Sequence, residues 1–389
     1  GNMVHNVHAI DGLLADGSQV HFKTLHERKL TDEDPAQTEL IRKMLALGDR
    51  EAAEIAQRFP DLLRRVGGYN IDVLTQQSPN MSHLLVGSEG TLAFFQRIHL
   101  KLQALPAHKT LGVCHFPTFY EAMEATQHIV ELNPSAVELV DRTMIDLARD
   151  IPIFAGTVDR FVQGEPQAIL LVEFSGEERE AQLHSLSQLV ELMESMGFTN
   201  SVVEATDKEF QQAIWEVRKS GLNIMMSMKG DGKPVSFIED CAVDLKDLAE
   251  YTSRLTDIFH KHGTTGTFYA HASVGCLHVR PILNMKEASG AQKMRAIVEE
   301  TLEIVRQYKG SHSGEHGDGI ARSEFHLPMF GQRMVNSFEE VKDSFDPAGT
   351  FNPGKIVRPE KMDDRNLFRF SPSYAIEPIA TTMDWSDWG

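Results

Sequence analysis

The sequence predicts an α+β fold built on an antiparallel sheet. Strand-like and helix-like segments alternate through most of the chain, and several strand-like neighbours are joined by short, hairpin-type turns. Composition agrees: hydrophobic residues make up 41% and charged residues 24% of the 389, ordinary for a globular protein with a real core. A single core stops growing near about 250–300 residues, so this length implies two or three structural units.

Residues 4–24 carry two short strand patterns joined at "LADGSQ", a hairpin turn signal. Residues 35–59 have helical spacing and few breakers, and Pro60 closes the run. "RRVGGYNIDVL" (64–74) places paired glycines before an apolar stretch. "SHLLVGSEGTLAFFQRIHLKLQALP" (82–106) reads as strand, glycine turn, strand, with Pro106 as a boundary. "TLGVCHF" (110–116) and "AILLVEF" (168–174) predict strands; between them lie a helix near 118–131 and a short apolar stretch, "AVELVD" (136–141). Helical spacing returns at 178–196, 207–220 and 246–262, and strands are expected at 234–242, 266–271 and 277–282. Two more helices fit 285–308 and 328–345. The tail from 358 is rich in Pro, Asp, Ser and Arg and reads as a wrap or linker.

A formal charge of −18 argues against a nucleic-acid surface, which needs clustered Lys and Arg, but leaves room for a local basic pocket. Three scattered cysteines, Cys114, Cys241 and Cys276, make no disulfide framework or zinc knuckle. The simple expectation is a reducing, cytoplasmic setting, with a peripheral position at the inner membrane face as its variant. No apolar run is long enough to span a membrane, and no signal peptide is evident. The start, "GNMVHNVHAIDGLLADGSQV", enters strand-like sequence almost at once, and "DWSDWG" ends abruptly. The chain therefore reads as an internal piece of a longer protein, with Gly1 as a cloning remnant.

The stretch "YAHASVGCLHVRP" (269–281) carries the first chemical signal. If 266–271 and 277–282 are adjacent strands, His271 and His278 can face one cleft. Among 17 histidines, two at short spacing also arise by chance. A third ligand is available in "SHSGEHGDGIAR" (311–322), where Glu315 precedes His316 among Gly314, Gly317 and Gly319. These glycines let backbone and side chains approach a ligand closely. Two imidazoles and a carboxylate leave open positions on Zn²⁺, Mn²⁺ or Fe²⁺, which a catalytic metal needs. Arg218, at the end of a helix, and Arg280, two residues past the second histidine, can grip carboxylates through two parallel bonds. Each arginine taken alone also fits a solvated surface. "VGSEGTL" (86–92) and "FNPGKI" (351–356) could likewise be a tight turn and a helix stop.

Taken together, "VGSEGTLAFFQRIHLKLQALP", "HASVGCLHVRP", "SGEHGDGIAR" and "SFDPAGTFNPGKI", in this order, resemble the FAD-linked oxidases of the vanillyl-alcohol oxidase (PCMH-type) superfamily. The similarity runs from about residue 5 to 357 and lies nearest the branch of D-lactate, glycolate and D-2-hydroxyglutarate dehydrogenases. Departures are Ala270, where the family often has glycine, and "SVGCLH", where it often has "GDGNLH".

The resemblance implies a remainder of an FAD-binding domain over 1–106, an FAD-linked oxidase C-terminal cap of ferredoxin-like type over 107–357, and a tail over 358–389. That tail resembles the linker of large members that continue into an iron–sulfur module. The resemblance implies FAD approached by Gly87, Ser88, Glu89, Gly90 and Thr91, with Asn352 and Lys355 near the same face. It further implies a divalent metal, Zn or Mn, on His271, His278 and Glu315; His316 as general base; and Arg218 on the substrate carboxylate. The expected partners are a small 2-hydroxy acid and an acceptor such as an iron–sulfur module or quinone. Arg280 on a second carboxylate would favour a dicarboxylic acid such as 2-hydroxyglutarate. The rival readings are a flavin-free, metal-dependent hydrolase on the same residues and a non-catalytic domain with packed histidines.

Overall fold

The computed structural model describes residues 3–30, 35–375 and 380–385. Gly1 and the last four residues of "DWSDWG" lie outside them. The chain divides into two compact units, one of Gly1–Ala104 with Ser311–Met362, the other of Leu105–Gly310 with Asp363–Gly389.

The first unit holds a three-stranded antiparallel sheet of β1 (Val7–Leu13), β2 (Gln19–Lys23) and β3 (Phe94–Leu100), in the order β2-β1-β3. Strand β2 alternates as its sequence does, with Val20 and Phe22 turned into the core. The helix Pro35–Arg58 buries Leu40, Ile41, Met44, Leu45, Leu47 and Ile55, a stripe at helical spacing. The helix Gln332–Phe345 adds Met334, Phe338, Val341 and Phe345 to the same core.

The second unit is built on a seven-stranded sheet: β4 (His108–Phe116), β5 (Ala136–Asp141), β6 (Ala168–Gly176), β7 (Val202–Ala205), β8 (Lys233–Pro234), β9 (Gly266–His271) and β10 (Cys276–Leu283). Their order is β7-β4-β6-β5-β9-β10-β8, and every pairing is antiparallel. Strand β6 is buried at every position from Ala168 to Phe174, so both its faces are covered, as its unbroken apolar run implies. Helices Phe119–Ile129, Arg142–Arg149 and Lys208–Lys219 start on Thr118, Asp141 and Asp207, whose side chains accept the N–H of Glu121, Met144 and Phe210. The α+β class and the antiparallel sheet are as the sequence predicts.

Three details differ. The strand expected at the start of 82–106 is a 3-10 turn, Met81–Leu84, because Asn80 accepts the Ser82 N–H at 3.0 Å and winds the chain there. The strand expected at 234–242 is reduced to Lys233–Pro234 and a lone bridge from Ala242 to Cys276. That segment buries consecutive residues, Phe237 to Val243, rather than alternate ones, so it follows β10 without forming a regular ladder. The helix expected at 328–345 is interrupted at Gly331, with φ 80° and ψ 162°. Residues 311–357 pack with the first unit. Main-chain bonds tie them there: Val66 N–H donates to Ser313 O at 2.8 Å, and Gly68 N–H to Asp318 Oδ2 at 2.8 Å.

Candidate active site

In the second unit, register brings five polar side chains to one face of the sheet. Glu138 of β5 lies opposite His271 of β9, and His278 of β10 lies opposite Tyr269, two residues from His271. Arg280 follows two residues along β10, so Glu138, Tyr269, His271, His278 and Arg280 project the same way. Gly275 makes the β9–β10 connection possible: at φ 65° it closes a short 3-10 turn, and a Cβ there would stand 2.0 Å from Val243 O. The two imidazole rings meet edge to face, 4.9 Å between centroids.

The protons on these rings are assigned by their partners. His271 Nδ1 lies 2.7 Å from Glu138 Oε1, and His278 Nδ1 lies 3.2 Å from the Glu239 carbonyl. Carboxylates and carbonyls only accept, so each Nδ1 donates, and the neutral ring keeps its lone pair on Nε2. That is the form in which histidine binds a metal, with its other nitrogen held by a hydrogen bond. The buried carboxylate of Asp240 offers an oxygen within 4.8 Å of the His278 ligand nitrogen. His278 and Asp240 offer donors that fit a divalent ion, and His271 stands beside them, outside that group. The structure pairs His271 with Glu138 and groups Asp240 with His278.

Neither arginine is a solvated surface residue. Arg218, at the end of the helix Lys208–Lys219, donates from Nη2 to Glu138 Oε2 at 2.6 Å and stacks its guanidinium 4.8 Å over Tyr269. Its Nε is buried without a hydrogen-bond partner. Arg280 is paired with Glu239 and bonded to the Tyr269 hydroxyl, so the fork expected to await a second carboxylate already has a carboxylate on it. Burial pushes the Tyr269 hydroxyl above its ordinary pKa, and the two arginines oppose that shift.

In the first unit, "GSEGTL" forms a tight turn with left-handed φ at Gly87, Glu89 and Gly90. Gly87 and Gly90 are exposed, and a Cβ on either would meet nothing within 4 Å. Ser88 Oγ is buried without a hydrogen-bond partner. Open space above the turn and an orphaned hydroxyl beneath it suit the approach of a flat ring system. Asn352 donates to Glu89 O at 2.7 Å, so it stands at this turn, while Lys355 is half-buried on the following loop. The Glu89 carboxylate, however, is engaged by the chain: it accepts the N–H groups of Asp318 and Gly319, and burial raises its pKa. The approach that Gly317 permits, at φ 88°, is that of Glu89, whose Oε1 would lie 2.7 Å from a Cβ. Glu315 pairs with Arg64 at 3.2 Å and lies 3.5 Å from the half-exposed His316.

Residues 105–356 match the FAD linked oxidases, C-terminal domain. The chain belongs to the FAD-linked oxidases. Among curated relatives of this oxidase chain is the D-2-hydroxyglutarate dehydrogenase of Haemophilus influenzae, 28% identical over 94% of this chain and 37% of that protein. The Escherichia coli K12 protein of the same name is 29% identical over 79% of this chain and 31% of its own length. The mitochondrial D-lactate dehydrogenase [cytochrome] of Arabidopsis thaliana is 27% identical over 72% of this chain and 48% of that protein. The chain thus spans about a third of the length of the 2-hydroxyglutarate dehydrogenases. The fold is that of 4-ethylphenol oxidase from Gulosibacter chungangensis (TM-score 0.56, 12% identity, 92% of this chain and 66% of that one). It is also that of p-cresol methylhydroxylase (TM-score 0.57, 11% identity, 88% and 63%).

Sequence reasoning missed Glu138, Glu239, Asp240, Arg64 and Tyr269. Glu138 had a signal, a single charge inside the apolar strand "AVELVD". Arg64 had none, since its partner lies far along the chain. Cys114, Cys241 and Cys276 are buried. Among the described residues no helix is long and apolar enough to cross a membrane.

Proposed function

We propose that this chain carries the substrate side of a flavin-dependent dehydrogenase. The enzyme oxidises a small D-2-hydroxy acid, of the D-2-hydroxyglutarate, D-lactate or glycolate type, to the 2-oxo acid. One observation carries the reading: two imidazoles, each held through Nδ1, share a sheet face with Arg280, and Arg218 bonds to Glu138 of that face. The names of the relatives support it.

In this reading His271, His278 and Glu315 hold a divalent ion, Zn²⁺ or Mn²⁺, with the Asp240 carboxylate beside His278 as a further donor. The charge balance favours such an ion. Two guanidinium groups face three carboxylates, those of Glu138, Glu239 and Asp240, so an anionic substrate needs added positive charge. The ion, when bound, supplies Lewis-acid chemistry that lowers the pKa of the substrate hydroxyl. Arg218 binds the substrate carboxylate through the donors that Glu138 leaves to it. Arg280 is the second cation, which a dicarboxylic substrate such as 2-hydroxyglutarate would use. His316, with 39% of its side chain exposed, takes the hydroxyl proton on its ring and exchanges it with solvent. FAD, if bound, would supply the hydride-accepting chemistry, with an iron–sulfur module or a quinone as the expected electron acceptor.

The test uses the protein purified with its flavin. Anaerobic addition of D-2-hydroxyglutarate or D-lactate should bleach the flavin absorbance. His316→Ala should abolish the bleaching and keep the FAD content; unchanged bleaching would take His316 out of the base role. Elemental analysis should find a divalent ion that His278→Ala loses, and an active, metal-free protein would remove the ion from the reading.

A further inference from the structure

We propose that Glu138 is the positioning residue of this site, one carboxylate that selects the metal-binding nitrogen of His271 and holds Arg218 in place. The inference rests on the function proposed above. Its two oxygens are divided between two tasks. Oε1 accepts from His271 Nδ1 at 2.7 Å, and Oε2 accepts from Arg218 Nη2 at 2.6 Å. The Arg218 contact is largely shielded from water, with 12% of the Glu138 side chain and 11% of the Arg218 side chain exposed, while the His271 side chain is 31% exposed. The register of β5 against β9 sets Glu138 directly across from His271, so the first contact follows from strand pairing.

The consequence for His271 is chemical. An imidazole binds a metal through a lone pair, and either ring nitrogen can supply one. Glu138 forces the proton onto Nδ1, which leaves Nε2 as the donor atom. The acceptor on His278 is a neutral carbonyl, that of Glu239. The acceptor on His271 is a carboxylate, which strengthens the hydrogen bond and makes the ring the more basic ligand.

The consequence for Arg218 is geometric. The Glu138 bond at Nη2 and the Tyr269 ring beneath fix the guanidinium plane. What remains includes a buried Nε–H without a hydrogen-bond partner, an unsatisfied donor beside the imidazoles. A buried donor of this kind is costly unless a ligand satisfies it. A substrate carboxylate oxygen is the group that would do so.

The test compares four variants by Zn²⁺ affinity, measured in competition with a chromophoric chelator, and by KM for the 2-hydroxy acid. An amide in Glu138→Gln can accept from only one of its two partners. Its Zn²⁺ affinity should fall about 10- to 100-fold, as when other metal-orienting partners are removed. Its KM should rise roughly tenfold, the loss expected for one charge-assisted hydrogen bond. Arg218→Ala leaves the His271 contact intact, so it should raise KM and keep Zn²⁺. Glu173→Gln is the structural control: it removes a carboxylate of the same sheet that binds Lys109 and Trp215, and should change neither readout. Melting temperatures establish that each variant folds, and the Arg218→Ala pattern remains decisive if Glu138→Gln does not. The proposal is overturned if Glu138→Gln holds Zn²⁺ within twofold of the parent, if Glu173→Gln loses as much, or if Arg218→Ala loses Zn²⁺. Should His278→Ala also retain Zn²⁺, the metal reading itself fails; if His278→Ala loses Zn²⁺ and Glu138→Gln does not, only the role of Glu138 fails.

Discussion

The two units bury their charges in different ways. In the first, buried charged and polar groups bond chiefly to the main chain. Lys342 Nζ donates to Thr91 O at 2.6 Å, to Phe351 O at 2.7 Å and to Asp346 Oδ2 at 2.6 Å. Asp318 accepts from Gly68 N–H, and His326 Nδ1 donates to Ile356 O. In the second unit, around the imidazoles, side chains bond to one another: Arg218 to Glu138, Glu138 to His271, Arg280 to Glu239. An ammonium has three donors, and Lys342 has spent all three on fixing loops. A guanidinium has five, and the Arg218 Nε–H has no hydrogen-bond partner. The first pattern fixes loops, and the second leaves a donor that the proposed substrate would use.

The sharpest way to break that contrast is Lys342→Met. It strands the Asp346 carboxylate and two carbonyls in a side-chain environment that is 4% exposed at Lys342 and 0% at Asp346. Removing one member of such a pair costs about 3–5 kcal/mol. Denaturant unfolding should show that loss, while Zn²⁺ content stays at the parent level. A loss under about 1 kcal/mol would mean that the first unit's charges are no more structural than surface pairs.

The same contrast explains what the sequence disclosed. Elements with a clear period, such as Pro35–Arg58, β1 with β2, and β9 with β10, were legible because local burial repeats at 3.6 or 2 residues. A strand is expected at 234–242, but Phe237 to Val243 form a run of consecutive buried residues, which has no period of its own. Bonds such as Gly68 N–H to Asp318 join residues far apart in sequence, and no local pattern announces them. Within the site, His271, His278, Arg218 and Arg280 were picked out by motif and chemistry. The carboxylates that hold them, Glu138 and Glu239, came only with strand pairing and burial. The sequence names the groups proposed to meet a ligand more readily than the groups that hold them.

A second way to probe the first unit is acid. His312 is fully buried; burial foremost, then the neighbouring His326, pushes its pKa down from 6.5 to about 3, against the pull of Asp318. The unfolded chain protonates this ring near 6.5 and the folded chain does not, so stability is present above 6.5 and drains as pH falls toward 3. The slope is about 1.4 kcal/mol per pH unit, or roughly 2 kcal/mol lost by pH 5. His312→Gln should flatten that slope in a series of melts from pH 7 to 4. An unchanged slope would place the acid lability elsewhere.

The second unit contains the opposite case, and with it the smallest of these effects. Asp141 accepts from Met144 N–H and Phe268 N–H, both at 2.8 Å, yet burial outweighs the two amides and raises its pKa from 3.8 to about 6. The folded chain holds this proton where the unfolded chain has released it. Its contribution is therefore full below 3.8 and is lost as pH rises toward 6, roughly 1–2 kcal/mol of it by pH 5. Between pH 4 and 6 the two groups oppose each other, His312 gaining stability with rising pH as Asp141 loses it. If the protein melts as one cooperative body, its stability should vary little across that window, and Asp141→Asn should uncover the His312 slope. If the units melt separately, calorimetry should resolve two transitions that move in opposite directions with pH. Asp141→Asn should then shift its own transition by about 1 kcal/mol, for the lost Phe268 bond, and make it insensitive to pH. Two transitions that both weaken in acid would show that Asp141 is ionised in the folded protein, with its two amide donors prevailing over burial.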